Sequence, residues 1–360
     1  MTLRRAPSAD WPRLLTPALG CLPPIAEMRH TERVVHVALH PELEALRSMR
    51  CAFASISMAY AEVDYLPLDA GPGAAYEDLV AACRKVRPTI IFMQVQRPTE
   101  LANITAEQIA ELRRDCSPDC VIVLWDGDYH GGPGSGQREW FRHLGRLVDT
   151  TLTVETRHQE ECAALGIRHP GYLQTGNEPL LFHPVPVDKV EPAVVLVANN
   201  WAMIDAGYAM RQYAVCYLTA RYGSTFQVYG SGWFPSSRPI GLTEQVQLYS
   251  AAAAALSVSI RSDVARCTSD RLLRMLGCGS LILLERFPDC EGLGLEDGVN
   301  CLSWSTCEEL QEHIDRVLAD PAAAWCVEMR RAAAELSREH TWGVRMRELL
   351  AIVDAVRGSR

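Results

Sequence analysis

The chain has 360 residues, 35 basic against 44 acidic, a net charge of −9 and 48 % hydrophobic residues, the balance of an ordinary globular protein with room for two full cores. That acidity argues against an extended footprint on a phosphate backbone, though not against a local basic pocket. No run of about 18 uncharged apolar residues occurs, so no membrane-spanning helix is expected.

Asp10 and several prolines interrupt any apolar stretch near the start, which argues against a signal peptide. The 13 cysteines are odd in number and scattered singly. Most, such as Cys83, Cys162 and Cys216, fall in expected helices or strands, where a free thiol acts as a small hydrophobe. Cys116 and Cys120 are the closest pair, with no second pair or His-x-His to complete a zinc site. The expectation is a reduced, cytoplasmic protein with no structural metal and no cofactor.

After an irregular segment over 1–33, strands and helices alternate. VVHVALH (34–40) reads as a strand and 41–55 as a helix. VDYLPLD (63–69) reads as the second strand, followed by an amphipathic helix over 75–88 that Pro88 ends. TIIFMQVQ (89–96) is a buried strand and 105–116 a helix. CVIVLWDGD (120–128) leads into a glycine-rich loop, HGGPGSG (130–136), and a helix over 137–148. Strands at 151–156 and 171–175 close this half. Such alternation predicts a parallel, doubly wound sheet.

Residues 175–192 carry four prolines and no periodicity, which places an interdomain linker at 179–192. The alternation then resumes, with strands at 193–199, 225–230, 254–260, 281–285 and 300–304. Helices are predicted over 206–223, 242–252, from Ser269 onward, and over 307–320, the last with Ser305 and Glu308 as its capping box. Two more, from Pro321 to His340 and from Thr341 to Arg357, finish the chain. The domains expected are 34–178 and 193–340, each Rossmann-like, with a C-terminal helix (341–360) free to cross back to the first.

The stretch SDRLLRMLGCGSLILLE (269–285) holds the most informative chemistry. Ser269 and Asp270 are good N-caps, and Gly277 and Gly279 are natural stops. Arg271 and Arg274, three positions apart, share one helical face and suit a phosphate or carboxylate. In open α/β sheets ligands bind beyond the carboxyl ends of strands, at helix N-termini. Those positions in the second half are Asn199-Asn200, Gly230-Ser231-Gly232-Trp233, Arg261 and Ser269-Asp270-Arg271. Each alone is a turn or a surface ion pair, but together they predict a phosphate site. Trp233 suits stacking on a base or sugar, and equally an ordinary buried position. No P-loop and no Gly-x-Gly-x-x-Gly after an opening strand is present.

VYGSGW (228–233), SVSIRSD (257–263), SDRLLRMLGCGSLIL (269–283), LEDGVNCLSWSTCEELQEHIDRVLADP (295–321) and REHTWGVRMRELL (338–350) resemble GT-B glycosyltransferases of the CgeB/YkvP-like group, which includes phage-encoded members. WDGDYH and GYLQTGNEPLLFHP match more loosely, so the resemblance spans roughly 120–350. It implies a GT-B architecture: two Rossmann-like domains facing across a cleft, with C-terminal helices. The nucleotide-sugar donor would sit in the C-terminal domain and the acceptor near the N-terminal one.

The resemblance also gives the residues their roles. Asn199, Asn200, Gly230, Gly232, Trp233, Arg261, Ser269, Asp270, Arg271, Arg274 and Gly279 form the donor side. Arg271, with Arg274, would hold the diphosphate and neutralise charge on the leaving nucleotide without a metal. Related retaining enzymes carry two glutamates eight positions apart where this chain has Arg266 and Arg274. The ribose grip therefore falls to Glu285, Glu291 or Glu296, and the stereochemical outcome stays open. Asp126 and His130 belong to the acceptor side, and Asp128 is the candidate base, with His130 as the alternative. Asp126-Gly127-Asp128 resembles a metal motif, yet a polar turn at a strand end is the plainer reading. The acceptor is open among a small molecule, a glycan, a protein side chain and a modified DNA base. Two alternatives are a nucleotide-sugar epimerase of the same fold and a non-catalytic nucleotide-sugar-binding protein.

Overall fold

The computed structural model describes residues 31–39, 47–67, 73–95, 98–127, 139–156, 159–200, 208–233 and 238–360. Two compact units emerge: residues up to Thr175 with Trp342–Arg360, and Gly176–Thr341.

The first unit is built on strands β1 (Glu32–Ala38), β2 (Ser57–Asp64), β3 (Ile90–Met93), β4 (Val121–Asp126), β5 (Thr150–Thr153) and β6 (Pro170–Tyr172). They lie in the order β2-β1-β3-β4-β5-β6, and every neighbouring pair is parallel. Helices α1 (Arg47–Ile56), α2 (Ala74–Val86), α3 (Ala106–Arg114), α4 (Glu139–Leu147) and α5 (Gln159–Ala164) join or flank them. All four residues of β3 and all six of β4 are buried, as strands covered on both faces must be. Side chains of α2, α3 and α4, Leu79, Cys83, Ile109 and Phe141 among them, pack on Val35, Ile91 and Ile122 in one core.

The second strand differs from expectation. It begins at Ser57 and pairs with β1 from Glu32↔Ser57 to Ala38↔Asp64, six residues ahead of the predicted start at Val63. SMAYAEVD is rich in helix formers and half-buried as an edge strand, so its sequence lacks the β-branched signature of the central strands. The short helix α5 also escaped prediction.

The second unit contains β7 (Glu191–Val197), β8 (Phe226–Tyr229), β9 (Ala252–Ser257), β10 (Ile282–Glu285) and β11 (Leu302–Trp304), ordered β11-β10-β9-β7-β8 and again all parallel. Its helices are α6 (Ala209–Tyr222), α7 (Leu242–Ala251), α8 (Asp270–Gly277), α9 (Cys307–Ala319) and α10 (Ala324–Leu336). The capping box of α9 is Thr306 with Glu309, one residue beyond the predicted Ser305 and Glu308. The Thr306 side chain accepts from the Glu309 amide, and Ser305 gives its own amide to the Glu309 carboxylate. Both pairs have the three-residue spacing, and the backbone turn selects the second.

Helix α11 (Trp342–Gly358) returns to the first unit. Its Arg357 forms a bidentate pair with the buried Glu32 carboxylate, at 2.9 and 3.1 Å, and also donates to Thr89 O. Among the described residues no helix is long and apolar enough to cross a membrane.

Candidate functional site

The strand order of the second sheet decides where a ligand can sit. The chain leaves β7 toward β8 on one side and leaves β9 toward β10 on the other, while β7 and β9 are neighbours. The crevice beyond the carboxyl ends of two such strands is where open α/β sheets bind ligands. A cavity of about 310 Å3 lies there. Val197, Ala198 and Asn199 at the end of β7 wall it, with Gly230 after β8, Pro239, Ile240, Gln245 on α7, and Asp270, Arg271 and Arg274 on α8.

Helix α8 starts where its sequence says it should. Ser269 is the N-cap, with extended backbone, and Leu272, Leu273, Met275 and Leu276 bury its apolar face, each worth about 1.5–3 kcal/mol. The helix ends in a Schellman turn: Gly279, at φ +63, donates to Leu276 O, and Ser280 donates to Met275 O. Gly277 is glycine for a separate reason, because a Cβ there would stand 2.5 Å from Phe182 O. Side chains lean toward a helix's N-terminus, which carries Arg271 back over the strand ends.

Arg271 is only 8 % exposed. Its Nη2 donates to Val258 O at 3.1 Å and to Ser269 Oγ at 3.0 Å, its Nη1 reaches Val197 O at 3.5 Å, and its Nε has no hydrogen-bond partner among the described residues. Beside it stands Arg211 of α6, 5 % exposed, which sequence reasoning missed. Arg211 donates to Val258 O through Nε and Nη2, at 3.1 and 2.8 Å, and to Asn199 O through Nη1 at 3.0 Å. Burial first, and then Arg271, pull the Arg211 guanidinium down to about 9; burial likewise lowers Arg271. An arginine side chain nonetheless keeps its charge in a protein. Among the described residues no carboxylate is ion-paired with either, so the two buried cations rest on backbone carbonyls and the Ser269 hydroxyl. The buried Tyr249 hydroxyl, close enough to feel Arg271 and Arg274, also has no hydrogen-bond partner among the described residues. Such a site suits an anion.

Arg274, one turn on, is held by Asp270 and by Gln245 Oε1 at 3.4 Å, and its guanidinium lies 5.2 Å from the Phe182 ring centre. The loop after β8 is stitched to the end of β7. Ser231 N donates to Asn199 Oδ1 at 2.9 Å, Asn200 N donates to Ser231 O at 2.8 Å, and Trp233 Nε1 donates to Ala198 O at 2.6 Å. Gly230 and Gly232 have φ of +123 and +84, and a Cβ on either would fall within 2.2 Å of a carbonyl oxygen of this strand end. Only glycine permits so close an approach.

The structure thus brings Asn199, Gly230, Asp270, Arg271 and Arg274 to one cavity, with Asn200, Gly232, Trp233 and Ser269 in its supporting bonds. Trp233 packs on the core of its unit with its indole N–H already used. Arg261 makes a bidentate pair with Asp263, both bonds 3.0 Å. Gly279 stands at the opposite end of α8, facing Pro184 and Ala334, apart from the cavity. Of the three glutamates considered for the ribose, Glu285 ends β10 and accepts from Ser262 Oγ at 2.5 Å, and burial raises its pKa. Glu291 and Glu296 are exposed. On the acceptor side, Asp126 is the last residue of β4 and fully buried. Asp128, His130 and the glycine-rich loop lie outside the described residues. Arg211 did leave a signal: it stands three, four and seven positions before Ala214, Val215 and Leu218, a charge on the buried stripe of its helix.

Residues 211–351 match the family model described as glycosyl transferase-like. No curated protein matches the chain in sequence. Among solved structures, an alpha-glucosyltransferase in complex with UDP and a 13-mer DNA containing an A:G mismatch superposes at a TM-score of 0.63 and 9 % identity, covering 90 % of this chain and 99 % of that one. HepE from Anabaena, in complex with UDP-glucose, gives 0.59 and 10 %, covering 90 % and 100 %. Sucrose-phosphate synthase from Thermosynechococcus elongatus gives 0.55 and 13 %, covering 91 % and 99 %. The fold is GT-B: two α/β domains with parallel six- and five-stranded sheets flanked by helices.

Proposed function

We propose that this protein is a glycosyltransferase that moves a sugar from a nucleotide-diphosphate sugar to a hydroxyl acceptor. The observation that carries this reading is the pair of buried guanidinium groups, Arg271 and Arg211, with no ion-paired carboxylate among the described residues. They converge on the carboxyl ends of β7 and β9 beside the N-terminus of α8. A diphosphate supplies the missing counter-charge, and the helix amides and dipole favour it there. The UDP and UDP-glucose bound by structures of the same fold make a uridine donor the first choice.

In this reading Arg271 donates to the diphosphate oxygens, with Arg274 beside it once Asp270 shares its charge. As the bond from the sugar to the diphosphate breaks, negative charge grows on the leaving group, and preorganised cations lower that barrier without a metal. The acceptor oxygen attacks the anomeric carbon, and its proton passes to a base. Asp128, two residues past the buried end of β4, is the residue we assign to that role, with Asp126 and His130 around the acceptor. The acceptor class stays open among a small molecule, a glycan, a protein side chain and a modified DNA base, the resemblance to phage enzymes and the DNA-bound structural match keeping the last in view. A reducing, cytoplasmic setting is part of this reading, in which the twelve described cysteines stay free thiols.

A thermal-shift screen with UDP-, GDP-, dTDP- and CDP-sugars tests the donor. Ligand at a hundred times its Kd should add about 2.7 kcal/mol of stability, and Arg271→Ala should abolish that gain while remaining folded. A chain that no nucleotide sugar stabilises, or an Arg271→Ala variant stabilised as well as the parent, overturns the reading.

A further inference from the structure

Arg211 has a stranger arrangement than its neighbour. One carbonyl oxygen, Val258 O, accepts from Arg211 Nε, Arg211 Nη2 and Arg271 Nη2, at 3.1, 2.8 and 3.1 Å. A carbonyl has two lone pairs, so three donors cannot all be well served. Arg211 holds two of the three places and also anchors Asn199 O, in the cavity wall. Among the described residues Arg271 has a share of Val258 O, one hydroxyl, a long contact to Val197 O and an Nε with no hydrogen-bond partner.

We propose that Arg211 is a positioning and specificity residue that biases this site toward a diphosphate over a monophosphate. Its own fork is spent on the strand ends, so it does not reach the ligand. It acts by competing with Arg271 for Val258 O, which leaves other Arg271 donors available, and by adding a second buried positive charge beside it. At neutral pH UDP carries about one more negative charge than UMP, whose phosphate is itself close to doubly charged, so a second buried cation favours the diphosphate more strongly. The Tyr208 ring, 4.9 Å from the Arg211 guanidinium, and the Glu285 carboxylate also act on that charge. This inference rests on the donor reading above.

The test measures Kd for UDP and UMP by calorimetry in the parent protein, Arg211→Gln and Arg211→Lys, with folding checked by circular dichroism. Gln keeps a donor for the carbonyls and loses the charge; Lys keeps the charge. The preference for UDP over UMP should fall on the order of tenfold in Arg211→Gln, equivalent to about 1.4 kcal/mol, and stay within about twofold of the parent in Arg211→Lys. An unchanged UDP-to-UMP ratio in Arg211→Gln overturns the proposal, as does loss of folding in both variants, which would make Arg211 purely structural. A parent protein that binds none of UDP, GDP, dTDP and CDP fails at the donor reading itself, a result distinct from an unmoved ratio.

Discussion

Substituting Gly230 by alanine isolates the close contact that shapes the cavity. An added Cβ would stand 2.2 Å from Ala198 O and 2.7 Å from its carbonyl carbon, both backbone atoms, and φ is +123. Real Cβ contacts essentially never fall under 3.0 Å, so the loop or the end of β7 must move by about 0.8 Å. That carbonyl also receives Trp233 Nε1 at 2.6 Å, so the displacement spreads to the loop's anchor. Gly298, at φ +75 with nothing within 4 Å of its Cβ position, is the matched control for backbone strain alone. Gly298→Ala should cost about 1 kcal/mol, and Gly230→Ala about 3 kcal/mol or more, the added part being obstruction. Urea unfolding measures both, and a thermal-shift titration with the donor measures the site. If Gly230→Ala lost no more stability than Gly298→Ala and bound donor equally well, the stitched loop would not be what shapes the cavity.

Two further predictions concern the first unit. His36 is fully buried between Phe53 and Phe92, and burial, helped by Arg50, lowers its pKa from 6.5 to about 3. The unfolded chain therefore takes up this proton first, and stability on the order of 5 kcal/mol is lost as pH falls from 6.5 toward 3. Denaturation at several pH values should show that slope flatten in His36→Gln, and an unchanged slope would contradict it. Burial pushes the Glu32 carboxyl up, but hydrogen bonds from Arg357 and Thr89 outweigh it and leave the group below its usual value. Arg357→Met should cost about 2–4 kcal/mol at pH 7, because a buried carboxylate loses its counter-ion. The gap to the parent should narrow as pH falls, because burial without Arg357 raises the Glu32 carboxyl and it protonates in the variant before it does in the parent; a gap constant with pH would count against the pairing.

Much of the fold was legible because the chain punctuates itself. Ser269 at the start of α8 and the glycine stop near 279 are local signals, and the two-sided burial of β3 and β4 shows as unbroken apolar runs. What stayed hidden depends on distant neighbours. SMAYAEVD is a strand only because β1 pairs with it along its whole length. The strand order β11-β10-β9-β7-β8 is not written in any segment, yet it alone puts Asn199, Gly230 and Arg271 around one cavity and leaves Arg261 and Gly279 aside. Arg211 was overlooked because a single arginine in an apolar helix reads as a surface residue until its stripe is counted. The resemblance to glycosyltransferases supplied roles for residues whose spacing alone allowed several.

A crystal structure of the protein with an unhydrolysable UDP-sugar bound tests the central claim most directly. The account predicts diphosphate oxygens about 3 Å from the Arg271 guanidinium and from the first amides of α8, beyond the carboxyl ends of β7 and β9. A diphosphate bound elsewhere, with the guanidinium of Arg271 still resting only on Val258 O and Ser269 Oγ, would contradict it.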